Sequence, residues 1–200
     1  MATREYRMGA RAATAAATRV RILRAVIDAA QEMLTLEIRL DDVARRAGTT
    51  VQTVLRHFGS RDALLDAAIR AGAVDVAAER EVAAGDLDTA FRLLLDHYEV
   101  RGDFMARMVA QEQTDARIHA FVEEGRRYHR DWVTRLFAAA LDERPVASRD
   151  ALVDLLVVAT DLSNWRVLRR EGPHPPLGRG AVESALAAAV LTAPDSDLKG

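Results

Sequence analysis

The side chains that most often make or break bonds show none of the familiar catalytic or metal-binding spacings in this sequence. No GxSxG, GxxxxGK[ST] or HExxH occurs, so the nucleophile elbow, the phosphate-cradling loop and the zinc-protease pair are all missing. His119 and His129 stand ten residues apart, without the i, i+4 spacing that sets two ligands on one helical face. The chain has no cysteine, which excludes disulfide frameworks, thiol catalysis and Cys-ligated zinc or iron–sulfur sites. No catalytic residues, no metal site and no cofactor are therefore expected. What is left is the chemistry of recognition. Of 28 basic residues all but Lys199 are Arg; the guanidinium fork suits bidentate contacts to phosphate and guanine, although a GC-rich genome produces the same skew. Charge is also unevenly divided. Residues 1–70 hold 12 Arg against 8 acidic residues, net +4, and residues 71–200 hold 16 basic against 22 acidic, net −6, which together give the formal −2. A basic amino-terminal part is the footprint of a phosphate-binding module.

These groups need elements to hold them, and composition points to helices. Alanine occurs 38 times and aromatic residues make up only 5% of the chain, a bias toward the best helix former and away from strand formers. No apolar run approaches the roughly 18 residues of a membrane helix, and the start lacks the apolar core of a signal peptide, so a soluble, cytoplasmic protein with no membrane partner is expected. All five prolines lie at or after Pro145. From Arg19, apolar Val20, Leu23, Ile27, Ala30 and Leu34 fall at helical spacing. LDDVARRAG supplies two further turns with Leu40, Val43 and Ala44 inward and Gly48 just past the end. Thr49 or Thr50 can cap a third helix, Val51–Phe58, and Gly59-Ser60 separates it from a fourth, from Arg61 to about Ala71. Two short helices across a tight Gly-containing turn, with a helix on each side, make a helix-turn-helix.

The run DDVARRAGTTVQTVLRHFGSRDALLDAAI resembles the DNA-binding segment of TetR-type transcriptional regulators: a Val-Ala helix, Ala-Gly, a Thr cap, a Thr, a His-Phe pair, then Ser with Leu three residues beyond the following cation. The resemblance covers residues from about 19 to 70. It implies that Thr50 and Thr53 donate hydroxyls to phosphates and that His57 contacts the backbone. Arg61, where the family usually has Lys, would bind phosphate at the start of the fourth helix. Val51 and Gln52 would occupy the leading turn in the major groove, where Gln can pair with adenine and Val can touch a thymine methyl. Arg56 would read a base or a phosphate. Three departures stand out. Leu55 holds the DNA-facing place of a Tyr and lacks its hydroxyl; Arg39 falls where a Thr starts helix two; the connection Thr35–Arg39 is short and lacks its Gly.

An all-α architecture is expected: a flexible basic arm over 1–18, either an uninvolved tail or one that lays Arg4, Arg7 and Arg11 along the DNA backbone or minor groove, a helix-turn-helix domain over 19–71, and a helical effector-binding and dimerisation domain over 74–200. Helical spacing in the last predicts helices near 74–83, 87–100, 103–112, 114–141, 148–170 and 178–193. The resemblance implies a homodimer through the last two long helices. Leu152, Leu155, Leu156, Ala159 and Leu162, with Val182, Leu186, Ala189 and Val190, would supply its stripes. A small-molecule effector is expected among Tyr98, Arg101, Met105, Met108, Trp132, Asn164 and Trp165. The expected function is a repressor released from a near-palindromic operator in double-stranded DNA by that effector. The alternative is a helical interaction module whose helix-turn-helix no longer binds DNA specifically.

Overall fold

The computed structural model describes residues 2–34, 37–171, 185–192 and 194, and their side chains apart from those of 2–11, 168, 170 and 171. No strand occurs among the described residues, and the all-α expectation holds. The helices are α1 (Ala2–Glu32), α2 (Leu40–Arg46), α3 (Val51–Phe58), α4 (Arg61–Glu79), α5 (Leu87–Gln111), α6 (Ala116–Leu136), α7 (Ala138–Asp142), α8 (Val146–Ala159) and α9 (Leu162–Glu171), with a further helical stretch at 185–192. They form two compact units, Met1–Asp75 and Val76–Gly200.

In the first unit, the head, α1 is helical from Ala2, so the backbone of 2–18 continues the first helix where an arm was expected. The face α1 buries is carried by Ile22, Ala25, Val26, Ala29 and Ala30, while Val20 and Leu34 are exposed. Of the stripe read from the sequence, Ala30 is buried and Leu23 and Ile27 are half-buried. These side chains close on Ile38, Val43, Ala44, Val54, Phe58, Leu64, Leu65 and Ala68. Gly48 turns the chain between α2 and α3 with φ +61, a left-handed conformation that costs a side-chain-bearing residue about 1 kcal/mol or more.

In the second unit, the body, the core gathers Phe91, Leu94 and Tyr98 of α5, Trp132 and Leu136 of α6, Leu152 and Leu156 of α8, Trp165 of α9 and Ala187. Four boundaries differ from the sequence reading. The expected fourth helix, ending at about Ala71, and the expected helix 74–83 are one continuous helix, α4. Helix α5 runs unbroken through Gly102, and the glycine there admits the Trp165 ring: an added Cβ would lie 2.3 Å from it. The expected helix 114–141 stops at Phe137 and restarts as α7. The expected helix 148–170 is split at Thr160-Asp161, where Thr160 Oγ1 donates back to the Leu156 carbonyl at 2.8 Å and Asp161 accepts from the Ser163 N–H at 2.8 Å to start α9. Of the apolar stripe on α8, Leu152, Leu156 and Ala159 face this chain's own core, and Leu155 and Val158 face outward. Val182 lies outside the described residues.

Candidate nucleic-acid interface

Helix α3 is held at both ends by its own residues. Thr50, in extended backbone, accepts from the Thr53 N–H at 3.2 Å, an N-cap of a kind worth about 1 kcal/mol. The Gly59 N–H closes the other end on the Leu55 carbonyl at 2.7 Å. Val54 and Phe58, four residues apart, point into the core. That leaves Gln52, Leu55 and Arg56 exposed and Val51, Thr53 and His57 half-buried on the opposite side. The hydroxyls of Thr50 and Thr53 are 3.1 Å apart. One hydroxyl proton is used within that pair, so in this arrangement it offers one donor to an outside acceptor.

Two arginines of α1 brace the motif. Arg19 donates to the His57 carbonyl at 3.1 Å and stacks 4.3 Å over the Phe58 ring. Arg21 reaches the Ala47 carbonyl at the end of α2 and the Thr18 hydroxyl, at 3.5 and 3.3 Å. Both lie where cations complement helix carboxyl ends. Between α1 and α3 runs an open groove of about 570 Å³, lined by Thr14, Ala15, Thr18 and Arg21 on one side and Thr49, Thr53, Arg56 and His57 on the other. Hydroxyls and guanidinia without a carboxylate make a wall suited to phosphate.

Arg61 is placed differently from the rest. Its Nε donates to the Ile38 carbonyl at 2.7 Å and its Nη1 lies 3.8 Å from Asp62, so it ties the start of α4 to the segment entering α2. Arg39 precedes α2 without a side-chain cap, and the acidic Asp41 and Asp42 in the first turn answer the helix dipole instead. Thr35 and Leu36 of the short connection, and the side chains of Arg4, Arg7 and Arg11, lie outside the described residues. Arg46 pairs with Glu32 at 2.6 Å and Asp42 at 2.8 Å, and its hydrogen bonds are the main cause holding both carboxyls below their usual range.

The residues between 27 and 68 match the family model of the bacterial regulatory proteins of the tetR family. The helix-turn-helix of this chain is thus a DNA-binding segment of the tetR type. A solved structure of a transcriptional regulator from Rhodococcus sp. Rha1 superposes on this chain with a TM-score of 0.66 at 17% identity, covering 86% of this chain and 95% of that one, which shows a shared fold. No curated protein sequence matches it. Among the described residues no helix is long and apolar enough to cross a membrane, and no group of His, Asp and Glu is placed to hold a metal ion.

In the body, the residues expected around an effector are mostly committed to the core. Tyr98 is buried and donates to the Thr160 carbonyl at 2.9 Å. Trp165 is fully buried, with its Nε1 donating to Glu99 at 3.1 Å. Met108 is buried and Met105 packs on the core. Arg101 pairs with Glu79, its Nε at 2.9 Å, and Asn164 bonds the Val158 carbonyl. Trp132 donates to the Arg80 carbonyl at 3.2 Å. Around Trp132 lies a polar group built on Arg80, a residue that sequence reading did not single out, and His129, for which a surface position was expected, is buried in it. Arg80, only 3% exposed, donates from Nη2 to His129 Nδ1 at 3.0 Å and stacks 4.4 Å over Trp132. Because guanidinium only donates, Nδ1 must accept. His129 then donates from Nε2 to Thr160 Oγ1 at 3.0 Å, and Thr160 donates to Leu156. Burial first, and the Arg80 charge second, push the His129 pKa down to about 4, which keeps the ring neutral for this chain of bonds. His97 is likewise lowered by burial; its Nδ1 meets Glu79 at 3.2 Å and its Nε2 is buried without a partner.

Proposed function

We propose that the protein is a ligand-responsive homodimeric repressor of the cytoplasm, which places one α3 per subunit in successive major grooves of a near-palindromic operator. The observation that carries this reading is the outward face of α3 beside the hydroxyl- and guanidinium-lined groove. Gln52 and Val51 meet base edges; Arg56, His57 and the Thr50–Thr53 pair hold phosphates. Leu55, 37% exposed, adds apolar contact without the hydroxyl of its relatives. Arg61, with Nε engaged in the fold, adds positive charge for backbone phosphate at the start of α4. Dimerisation is supported by the unburied apolar residues Leu155 and Val158, 41% and 62% exposed, one turn apart on α8, with Leu186 exposed in the stretch 185–192. An effector in the body lowers operator affinity by binding the non-operator conformation more tightly.

The test is a fluorescence-anisotropy titration of the full chain against the DNA upstream of its own gene and against a scrambled duplex, at several salt concentrations. Tighter binding to the upstream duplex, with the gap narrowed by Gln52→Ala, is expected. Equal affinity for both duplexes at every salt concentration overturns the repressor and leaves the interaction module.

A further inference from the structure

Arg80 carries a full charge into the interior of the body, and among the described residues no carboxylate pairs with it. Its partners are a neutral histidine and two aromatic rings, Trp132 and Tyr128, and its Nε is buried with no hydrogen-bond partner. A buried cation ordinarily keeps a counter-ion, because desolvating an unpaired charge is costly. The missing negative charge has a place to go. Arg80 borders a cavity of about 140 Å³ that Val82, Trp132 and Leu136 line with apolar surface and that Arg135 lines with a second guanidinium. Arg135, in the last turn of α6, makes no ion pair among the described residues, so two like charges face one small space. Glu81 also lines it and is exposed, with no hydrogen bond to either arginine.

We propose that this cavity is a binding site for a small monocarboxylate, whose carboxyl is held by Arg80 and Arg135 and whose short apolar body lies against Val82, Trp132 and Leu136. Its volume equals the share of four or five waters at about 30 Å³ each, which limits the ligand to a short chain or a single ring. The lining side chains supply two guanidinia and no hydroxyl or amide, which suits the two oxygens of a carboxylate better than inorganic phosphate, which needs donors around all its oxygens. The site deepens the effector reading above, and it rests on that reading only for its consequence at DNA.

Calorimetric titration of the full chain with acetate, propionate and benzoate, each against its neutral amide, and with inorganic phosphate, tests the site without DNA. At least one carboxylate is expected to bind at least tenfold more tightly than its amide and than phosphate. Arg135→Gln, at an exposed position, should weaken that binding about tenfold with unchanged thermal stability of the unliganded protein, and Glu81→Gln should strengthen it by removing a like charge. Arg80→Met should abolish it; if that variant fails to fold, Arg135→Gln and Glu81→Gln carry the test. No carboxylate binding at millimolar concentration, equal binding of acid and amide, phosphate binding as tightly as the carboxylates, or indifference to Arg135→Gln overturns the site. Operator anisotropy with and without the bound carboxylate reads the consequence separately: release of DNA is expected. Binding that leaves specific DNA binding unchanged overturns the site as the effector site. A chain without specific DNA binding in the absence of ligand fails the repressor reading and leaves the calorimetric result standing.

Discussion

The head and the body treat polar groups in opposite ways. Among the described residues, the six buried polar side chains, Arg80, His97, Gln111, His129, Ser148 and Thr160, all belong to the body, and the buried side chains of the head are all apolar. The head instead keeps its charges at the surface and pairs them there, as in Arg46 with Glu32 and Asp42, or aims them at carbonyls, as in Arg19 and Arg21. A small apolar core with surface braces holds one face of one helix in a single orientation, which is what reading a groove requires. The body accepts the cost of burying Arg80 and two histidines, and it leaves Nε of Arg80 and Nε2 of His97 unsatisfied. Unsatisfied buried groups in a well-packed interior mark where a structure serves something other than its own stability.

The contrast can be broken from either side. The largest effect is expected for Phe58→Ala, which removes the largest side chain of the head core and the ring under Arg19. A loss of about 3–5 kcal/mol should unfold the head alone, seen as an early partial transition in urea followed by circular dichroism; one unsplit transition at the original midpoint would contradict it. Next comes acid. Unfolded histidine titrates near 6.5, whereas His129 in the folded body is held at about 4. Between those values the unfolded chain takes up a proton that the folded body refuses, so stability is lost as pH falls, by about 3 kcal/mol over the window. His97, also lowered by burial, acts in the same direction. The head responds later: Glu32 and Asp42 sit below their ordinary 4.5 and 3.8, so what they contribute is intact above those values and is lost below them. Urea midpoints measured from about pH 7 to 4 should therefore show the body loosening first, and His129→Gln should flatten its slope. A head that melts first in this range would reverse the comparison.

Smaller changes sharpen it. Gly102→Ala places a methyl 2.3 Å from the rigid Trp165 ring, and overpacking of this kind costs about 1–3 kcal/mol. Differential scanning calorimetry should show the body transition falling and the head transition unmoved. Thr50→Ala removes the cap of α3 and should cost the head about 1 kcal/mol, with Thr50→Ser retaining most of it. An alanine variant with unchanged head stability would show that the cap does not hold the helix.

Legibility followed the range of the interactions. The turn at Gly48, the cap at Thr50, the stop at Gly59 and the cap at Ser60 on the Ala63 N–H, 3.1 Å, each involve neighbours three or four residues away, and all were readable in the sequence, the first cap as one of Thr49 and Thr50. Helix α1 was harder. It carries two apolar stripes, Val20–Leu23–Ile27 and Ile22–Val26–Ala29, and both have helical spacing; only the partners across the core select the second. Gly102 reads as a break until Trp165, 63 positions later, is seen to need the space. Thr160 reads as one more helical residue until His129 and Tyr98 are placed on its hydroxyl and carbonyl.

By itself the sequence determined the helical class, the helix-turn-helix and the residues on its outward face, because caps, turns and amphipathic spacing are set by adjacent residues. Tertiary structure alone decided that α1 walls a groove with α3, and that Arg80, 49 positions from His129, is a buried charge beside a cavity. Burial is no property of a residue or its neighbours in the chain. It is the loss of water imposed by everything that packs around it, and a charged side chain reads as surface until that packing is known.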